Sequence, residues 1–150
     1  MSRLILLDSG PLGMAVHPNA EGVTQHCQLW LNALLQNGEQ VVIPEIVDYE
    51  VRRELIRAGL KRSIRRLDHL LETLDYLPID TSMMRLASEL WAQVRQVGLP
   101  TADSKALDGD VILAAQAIRA KTESIEVIIA TTNVAHLARF TIAYDWQEIN

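Results

Sequence analysis

Three short, uninterrupted apolar runs limit this fold most: Leu4-Ile5-Leu6-Leu7, Val41-Val42-Ile43 and Val127-Ile128-Ile129-Ala130. A strand with one wet face alternates apolar and polar residues. These runs are apolar at every position, the pattern of strands buried on both faces. Longer stretches with apolar residues at helical spacing separate them. Strand and helix therefore alternate, which predicts an α/β fold: a central, mostly parallel sheet with helices on both sides.

The helical stretches can be bounded from local signals. Gly10, Pro11 and Gly13 predict a turn after the first strand. Thr24 to Gln36 reads as a helix with Leu29, Trp30, Ala33 and Leu34 on one face, stopped by Asn37-Gly38. Pro44 suits the first position of a helix from Glu45 to Ala58, because its missing N–H has no partner there anyway. Ile46, Tyr49, Val51 and Leu55 give that helix its apolar side, and Gly59 stops it. Ser63 is expected to cap the next helix, with Ile64, Leu67, Leu70, Leu71 and Leu74 as its stripe. Tyr76 to Ile79 reads as extended. Asp80 or Thr81 opens a helix to Val97, with Met84, Ala87, Leu90, Trp91 and Val94 inward. A loop is expected from Thr101 to Leu107, then a helix from Gly109 to Ala120. A short helical turn carries His136, and Trp146 to Ile149 reads as an edge strand.

With 150 residues and no linker, repeat or low-complexity tract, the chain is expected to form one domain over residues 1–150. Its hydrophobic content of 49% suffices for a core and argues against disorder. No apolar run approaches the roughly 20 residues of a membrane helix, and no cleavable leader is evident, so a cytoplasmic protein is expected. The single cysteine, Cys27, rules out an intrachain disulfide and a cysteine-based zinc site; it reads as a core residue. Trp30, Trp91 and Trp146 read as packing anchors rather than base-stacking platforms.

The net charge of −5 hides a strong asymmetry. Residues 52–66 hold seven of the fourteen basic side chains and one acid, Glu54. Such a segment can attract phosphates whatever the global charge, although a plain solvated helix face would look the same.

Asp8, Glu50 and Asp110 carry the functional signal. Asp8 directly follows Leu4 to Leu7, at the carboxyl end of a buried strand, where open α/β sheets bind ligands. Glu50 lies among Ile46, Val47, Tyr49 and Val51 on the helix after the second strand. Asp110 precedes the apolar, small-residue run Val111 to Ala117. Singly, each has an ordinary explanation: a turn aspartate, half of a helix ion pair worth about 0.3–0.5 kcal/mol, and a first-turn acid facing the helix dipole. Separated acids at one end of one sheet repel, and a divalent cation would relieve that repulsion. Oxygen donors without clustered Cys or His favour Mg²⁺ or Mn²⁺. Such an ion suits phosphodiester hydrolysis, because it lowers the pKa of water and offsets charge on a phosphoryl oxygen. Arg53 and Arg57 share a helix face with Glu50, three and seven residues on, where an RNA backbone could run. His136 reads as structural, with a general-base role as the lesser option.

The segments LILLDSGPLG at 4–13, IPEIVDYEVRREL at 43–55, LDGDVILAAQA at 107–117 and IIATTNVAHLARF at 128–140 resemble, in order and spacing, the PIN-domain family, in particular its VapC-like toxins. The resemblance covers nearly the whole chain. It implies a three-layer α/β/α fold and Mg²⁺- or Mn²⁺-dependent endoribonuclease activity. It also implies a frequent homodimer and inhibition by a cognate antitoxin, and it carries the family's acids onto Asp8, Glu50 and Asp110. Many members have a fourth acid after the strand matching 127–130. Asn133 stands there instead, with Thr131 just before, so these two are assigned to positioning a water or a phosphate. Asp108 or Asp103 could supply the missing charge. Two other functions compete: a non-catalytic PIN fold that binds RNA or protein, and a phosphatase-type enzyme with Asp8 as a covalent nucleophile. The latter usually needs an acid two residues on, where this chain has Gly10.

Overall fold

The computed structural model describes residues 2–98 and 104–150. Five parallel strands form its sheet: β1 (Ser2–Leu7), β2 (Gln40–Pro44), β3 (Asp75–Leu77), β4 (Ile125–Thr131) and β5 (Ala143–Asp145), in the order β3-β2-β1-β4-β5. Every pairing between neighbours is parallel. The helices are α1 (Ser9–Ala15), α2 (Gly22–Gln36), α3 (Glu45–Arg57), α4 (Lys61–Thr73), α5 (Thr81–Val97), α6 (Ser104–Ala120) and α7 (Val134–Ala138). The expected α/β architecture with a parallel sheet flanked by helices is present. The central strands are apolar throughout because both faces are covered: Ile5, Leu6, Leu7, Ile43, Ile129 and Ala130 are all 0–1% exposed.

The strand order makes β1 the point of reversal. The chain builds outward through β2 and β3 on one side of β1, then returns to add β4 and β5 on the other. Leu7 pairs with Ala130, so Asp8 and Thr131 leave adjacent strands side by side at the carboxyl edge. The Asp8 amide continues the ladder, donating to the Ala130 carbonyl at 3.0 Å. A crevice at such a reversal is where open α/β sheets take ligands.

Several local expectations change. Gly10, Pro11 and Gly13 lie within helix α1 rather than in a turn. Pro11 is tolerated because the N–H groups of a first turn have no intrahelical partner to lose. Ser63 does not cap α4, which starts at Lys61; it is buried inside the helix. Helix α6 starts at Ser104, five residues before the expected Gly109. Leu107 there is 1% exposed and packs with Met83, Val94 and Val111, so burial against α5 carries the helix back into the supposed loop. The rest of that loop, Asp103 included, lies outside the described residues. The last strand is Ala143–Asp145, and the expected strand at Trp146 is a 3₁₀ turn over Trp146–Glu148. Leu29, Tyr49, Met84 and Trp91, expected to face inward, are 38–59% exposed. In α2 the buried face is instead Cys27, Leu31 and Leu34.

Gln116 is a fully buried polar residue of α6. Its Nε2 donates to the Leu77 carbonyl at 2.8 Å, and its Oε1 accepts from the Ile46 amide at 3.3 Å. One amide thereby ties α6 to the first turn of α3 and to β3. It fixes the relative position of the two helices that bear Glu50 and Asp110.

Candidate metal centre

Asp8 is placed by backbone geometry. It is the N-cap of α1, and its Oδ1 accepts from the Ser9 amide at 2.7 Å. Its Oδ2 accepts from the Thr131 hydroxyl at 2.7 Å. Thr131 is fully buried and its oxygen also accepts from the Asn133 amide at 2.8 Å. Donating to Asp8 while accepting from the Asn133 backbone N–H, and shut off from solvent, Thr131 orients Asp8. Helix α1 can leave the strand so closely over the β4 edge only because residue 10 is glycine. A Cβ on Gly10 would lie 2.6 Å from Thr132 Oγ1.

Glu50 comes from the middle of α3, its carboxylate directed at α6. It meets that helix at Gly109, where a built Cβ would stand 2.5 Å from Glu50 Oε2 and 3.1 Å from Cδ. Glycine in a helix interior costs about 1 kcal/mol relative to alanine. At 109 that cost has a physical counterpart, room for the carboxylate. Asp110, next along α6, is half-buried, and its Oδ2 lies 3.5 Å from His136 Nδ1. His136 Nδ1 is also 3.0 Å from the Asn133 side-chain Nδ2, which links α7 to the acids.

The electrostatics report a shared field. Burial pushes the Glu50 carboxyl up to about 7, reinforced by the charges of Asp8 and Asp110 and opposed by Arg53. Asp110 is raised too, by burial first and then by Asp8, with His136 and Arg139 pulling it down. Asp8 thus stands close enough to Glu50 and Asp110 for its charge to disfavour theirs, as acids do around a cation site.

The donor set suits a hard cation of restricted kind. Among the described residues, no three His, Cys, Asp or Glu side chains converge tightly enough to ligate one ion together. Mg²⁺ asks for less: it keeps several waters and is commonly bound by one or two carboxylates directly. Three half-buried acids, two of them with raised protonation, fit an ion held partly through water. They do not fit a fully protein-lined cage.

Other expected residues fall differently. Asp108 is exposed on the far side of α6, in the α5–α6 groove with Met84, Trp91 and Val111. Two residues along a helix turn the side chain about 200°, so Asp108 cannot join Asp110 at the site. A helix beginning at Gly109 would make Asp108 its N-cap, but α6 begins at Ser104, four residues before it. Arg53 stacks over the exposed Tyr49 ring at 4.9 Å and acts on Glu50. Arg57 is paired with Glu54, a turn further on. His136 and Arg139 are nearer the acids than the sequence suggested. Their signal was only position, since both follow the Thr131 to Asn133 strand end.

Gly109→Ala is expected to cost cleavage activity about tenfold, because the new methyl displaces the Glu50 carboxylate. Thermal stability should hold or rise, since alanine favours the helix. A melting curve beside a cleavage assay checks both, and unchanged cleavage would remove Gly109 from the site.

Comparison with known proteins identifies the family and the fold. The sequence profile of the PIN domain matches residues 21–138, so the chain belongs to the PIN-domain family. Among solved structures it is similar to VapBC2 from Rickettsia felis bound to a promoter DNA fragment. The identity is 18% and the TM-score 0.72, over 95% of this chain and 98% of that one. It is similar to FitAcB from Neisseria gonorrhoeae at 19% identity and TM-score 0.69, over 97% and 99%. It also resembles DNA-bound VapBC from Salmonella typhimurium at 17% identity and TM-score 0.66, over 97% and 99%. No curated protein sequence matches the chain.

Proposed function

We propose that this PIN domain is a metal-dependent endoribonuclease and acts as the toxin of a toxin–antitoxin pair, working as one PIN-like unit over its 150 residues. The observation that carries the nuclease reading is the placement of Asp8, Glu50 and Asp110 together at the sheet's reversal point, where the charge of Asp8 helps to raise both of the others. The toxin reading is supported by the likeness to VapBC and FitAcB complexes, which also makes an antitoxin the expected protein partner; a homodimer is proposed from the family resemblance alone. No helix among the described residues is long and apolar enough to cross a membrane, in keeping with a cytoplasmic toxin.

Asp8, Glu50 and Asp110 would hold Mg²⁺ or Mn²⁺, directly or through water. When bound, the ion supplies positive charge for a phosphoryl oxygen and lowers the pKa of water. The chain's own residues do the rest. Ser9 and Thr131 fix the two oxygens of Asp8. Gly109 admits the Glu50 carboxylate, and His136 and Asn133 hold the α7 side of the site against Asp110. Arg53 gives the substrate strand a cation beside Glu50.

The purified chain, freed of any antitoxin, is expected to cut single-stranded RNA with Mg²⁺ or Mn²⁺ and to stop on addition of a chelator. Cleavage that persists in chelator would overturn the metal reading. No cleavage of a varied RNA panel in either ion would favour an RNA- or protein-binding PIN fold.

A further inference from the structure

The basic segment at 52–66 divides into two groups. Arg52 is held by Asp48 and Asp68, Arg57 by Glu54, and Arg53 lies over Tyr49 near the acids. Arg62, Arg65 and Arg66 have no carboxylate within ion-pair distance among the described residues. With His69 they occupy one face of α4, at positions i, i+3, i+4 and i+7, opposite the buried Ser63 and Leu67. That face lines an open cavity of about 390 Å³, closed on its other side by Ala15 and Pro18. Arg66 reaches across to the Ala15 carbonyl at 3.4 Å, so it fastens α4 to the end of α1. Arg62 and Arg65 are exposed and hold no such bond. Of the two carboxylates on the helix, Asp68 is engaged by Arg52 and Glu72 stands 4.0 Å from His69.

We propose that this cavity binds a phosphate group of the RNA strand, away from the one that is cut. Guanidinium groups crowded on one helix face without counter-charge repel, and a phosphate relieves that repulsion with bidentate hydrogen bonds. Position favours the same strand that meets the acids. Asp8 caps α1 and Ala15 ends it, so the cavity begins one short helix from the metal centre, about 10 Å at ~1.5 Å per residue. An extended strand crossing Asp8 can therefore place a neighbouring phosphate at Arg62 and Arg65. The inference rests on the reading of RNA as substrate and adds a second anchor for the strand, whatever its sequence.

The test measures binding without cleavage. A fluorescein-labelled single-stranded RNA is titrated with the full chain in chelator, at several salt concentrations, for wild type and for Arg62→Gln/Arg65→Gln. The variant is expected to bind about tenfold more weakly to RNAs of different sequence. Its dependence of log affinity on log salt should be shallower by about 0.7 for each phosphate that is no longer neutralised. Its melting temperature should equal or exceed that of wild type, because both arginines are exposed, without an ion pair among the described residues, and crowded by like charge. Equal affinity and slope in the two proteins would overturn the proposal, as would failure of wild type to bind RNA. A variant that keeps RNA binding but no longer binds a labelled poly-glutamate peptide would assign the cavity to an acidic protein segment instead, and would also overturn it. Without metal the outcome is independent of catalysis. Weakened RNA binding in the variant, with no cleavage by wild type in Mg²⁺, would keep this site and reject the nuclease reading alone.

Discussion

Asp8→Asn should leave the fold intact and lower RNA cleavage in Mg²⁺ by about 10²–10³-fold, the usual scale for removing one charged or oriented group at a phosphoryl or acyl centre. The side chains are isosteric, and the Asn carbonyl can still accept from the Ser9 amide. The Thr131 side is different. Its hydroxyl now donates to Asp8 Oδ2 while accepting from the Asn133 amide. An Asn NH₂ at that place is a donor, so the bond can persist only in reverse, with the Thr131 oxygen accepting and its proton turned elsewhere, which loosens the hold on residue 8. The removed charge acts at a distance as well. Asp8 helps to raise both Glu50 and Asp110, so each should titrate at lower pH in the variant. Carboxyl titration by NMR reads that shift separately from cleavage. Wild-type cleavage by Asp8→Asn would exclude Asp8 from the centre.

The sheet is legible in the sequence because burial on both faces leaves a local mark: Leu4 to Leu7 and Val127 to Ala130 are apolar at every position. Asp8 stands out for the same reason, as a charge set directly against such a run. Less local facts leave no such mark. The extent of α6 depends on Leu107 packing against Met83 and Val94 of α5, and sequence offers no view of that packing. Starting the helix at Gly109 makes Asp108 look like a cap near the site, when it faces the opposite groove. The same misplaced start conceals Gly109, whose glycine matters only through a carboxylate far away in the chain, on α3. Thr131 reads as a substrate-positioning residue from its place at a strand end, and the bonds of its hydroxyl to Asp8 and Asn133 are visible only in the fold. The basic segment is visible as composition. Its division into paired and unpaired arginines depends on Asp48, Asp68 and Glu54, which settle some of the cations and leave Arg62 and Arg65 open to solvent.

Glu50→Gln is expected to raise stability in metal-free buffer at pH 8 by about 2 kcal/mol, or roughly 4–8 °C in melting temperature for a chain of this size. The folded chain holds the Glu50 carboxyl up to about 7, chiefly by burial and then by Asp8, against a usual value of 4.5. Between those limits the native state keeps a proton that the unfolded chain has released. Stability therefore falls as pH rises from about 4.5 to 7 and is flat for this group above and below. The shift alone corresponds to about 3 kcal/mol, trimmed because solvent still reaches the site. Gln carries no charge at any pH, so the variant should lose most of this slope, with Asp110 supplying a smaller remainder of the same sign. Divalent cation should reverse the ranking in part. Mg²⁺ binds the folded wild type and stabilises it by mass action, while the variant lacks one of the charges that draw it. Thermal melts of both proteins at pH 5 and pH 8, with and without Mg²⁺, give all the comparisons. Two proteins with the same melting temperature under all four conditions would mean that Glu50 is an ordinary surface acid, and the metal centre would lose its most strongly perturbed member.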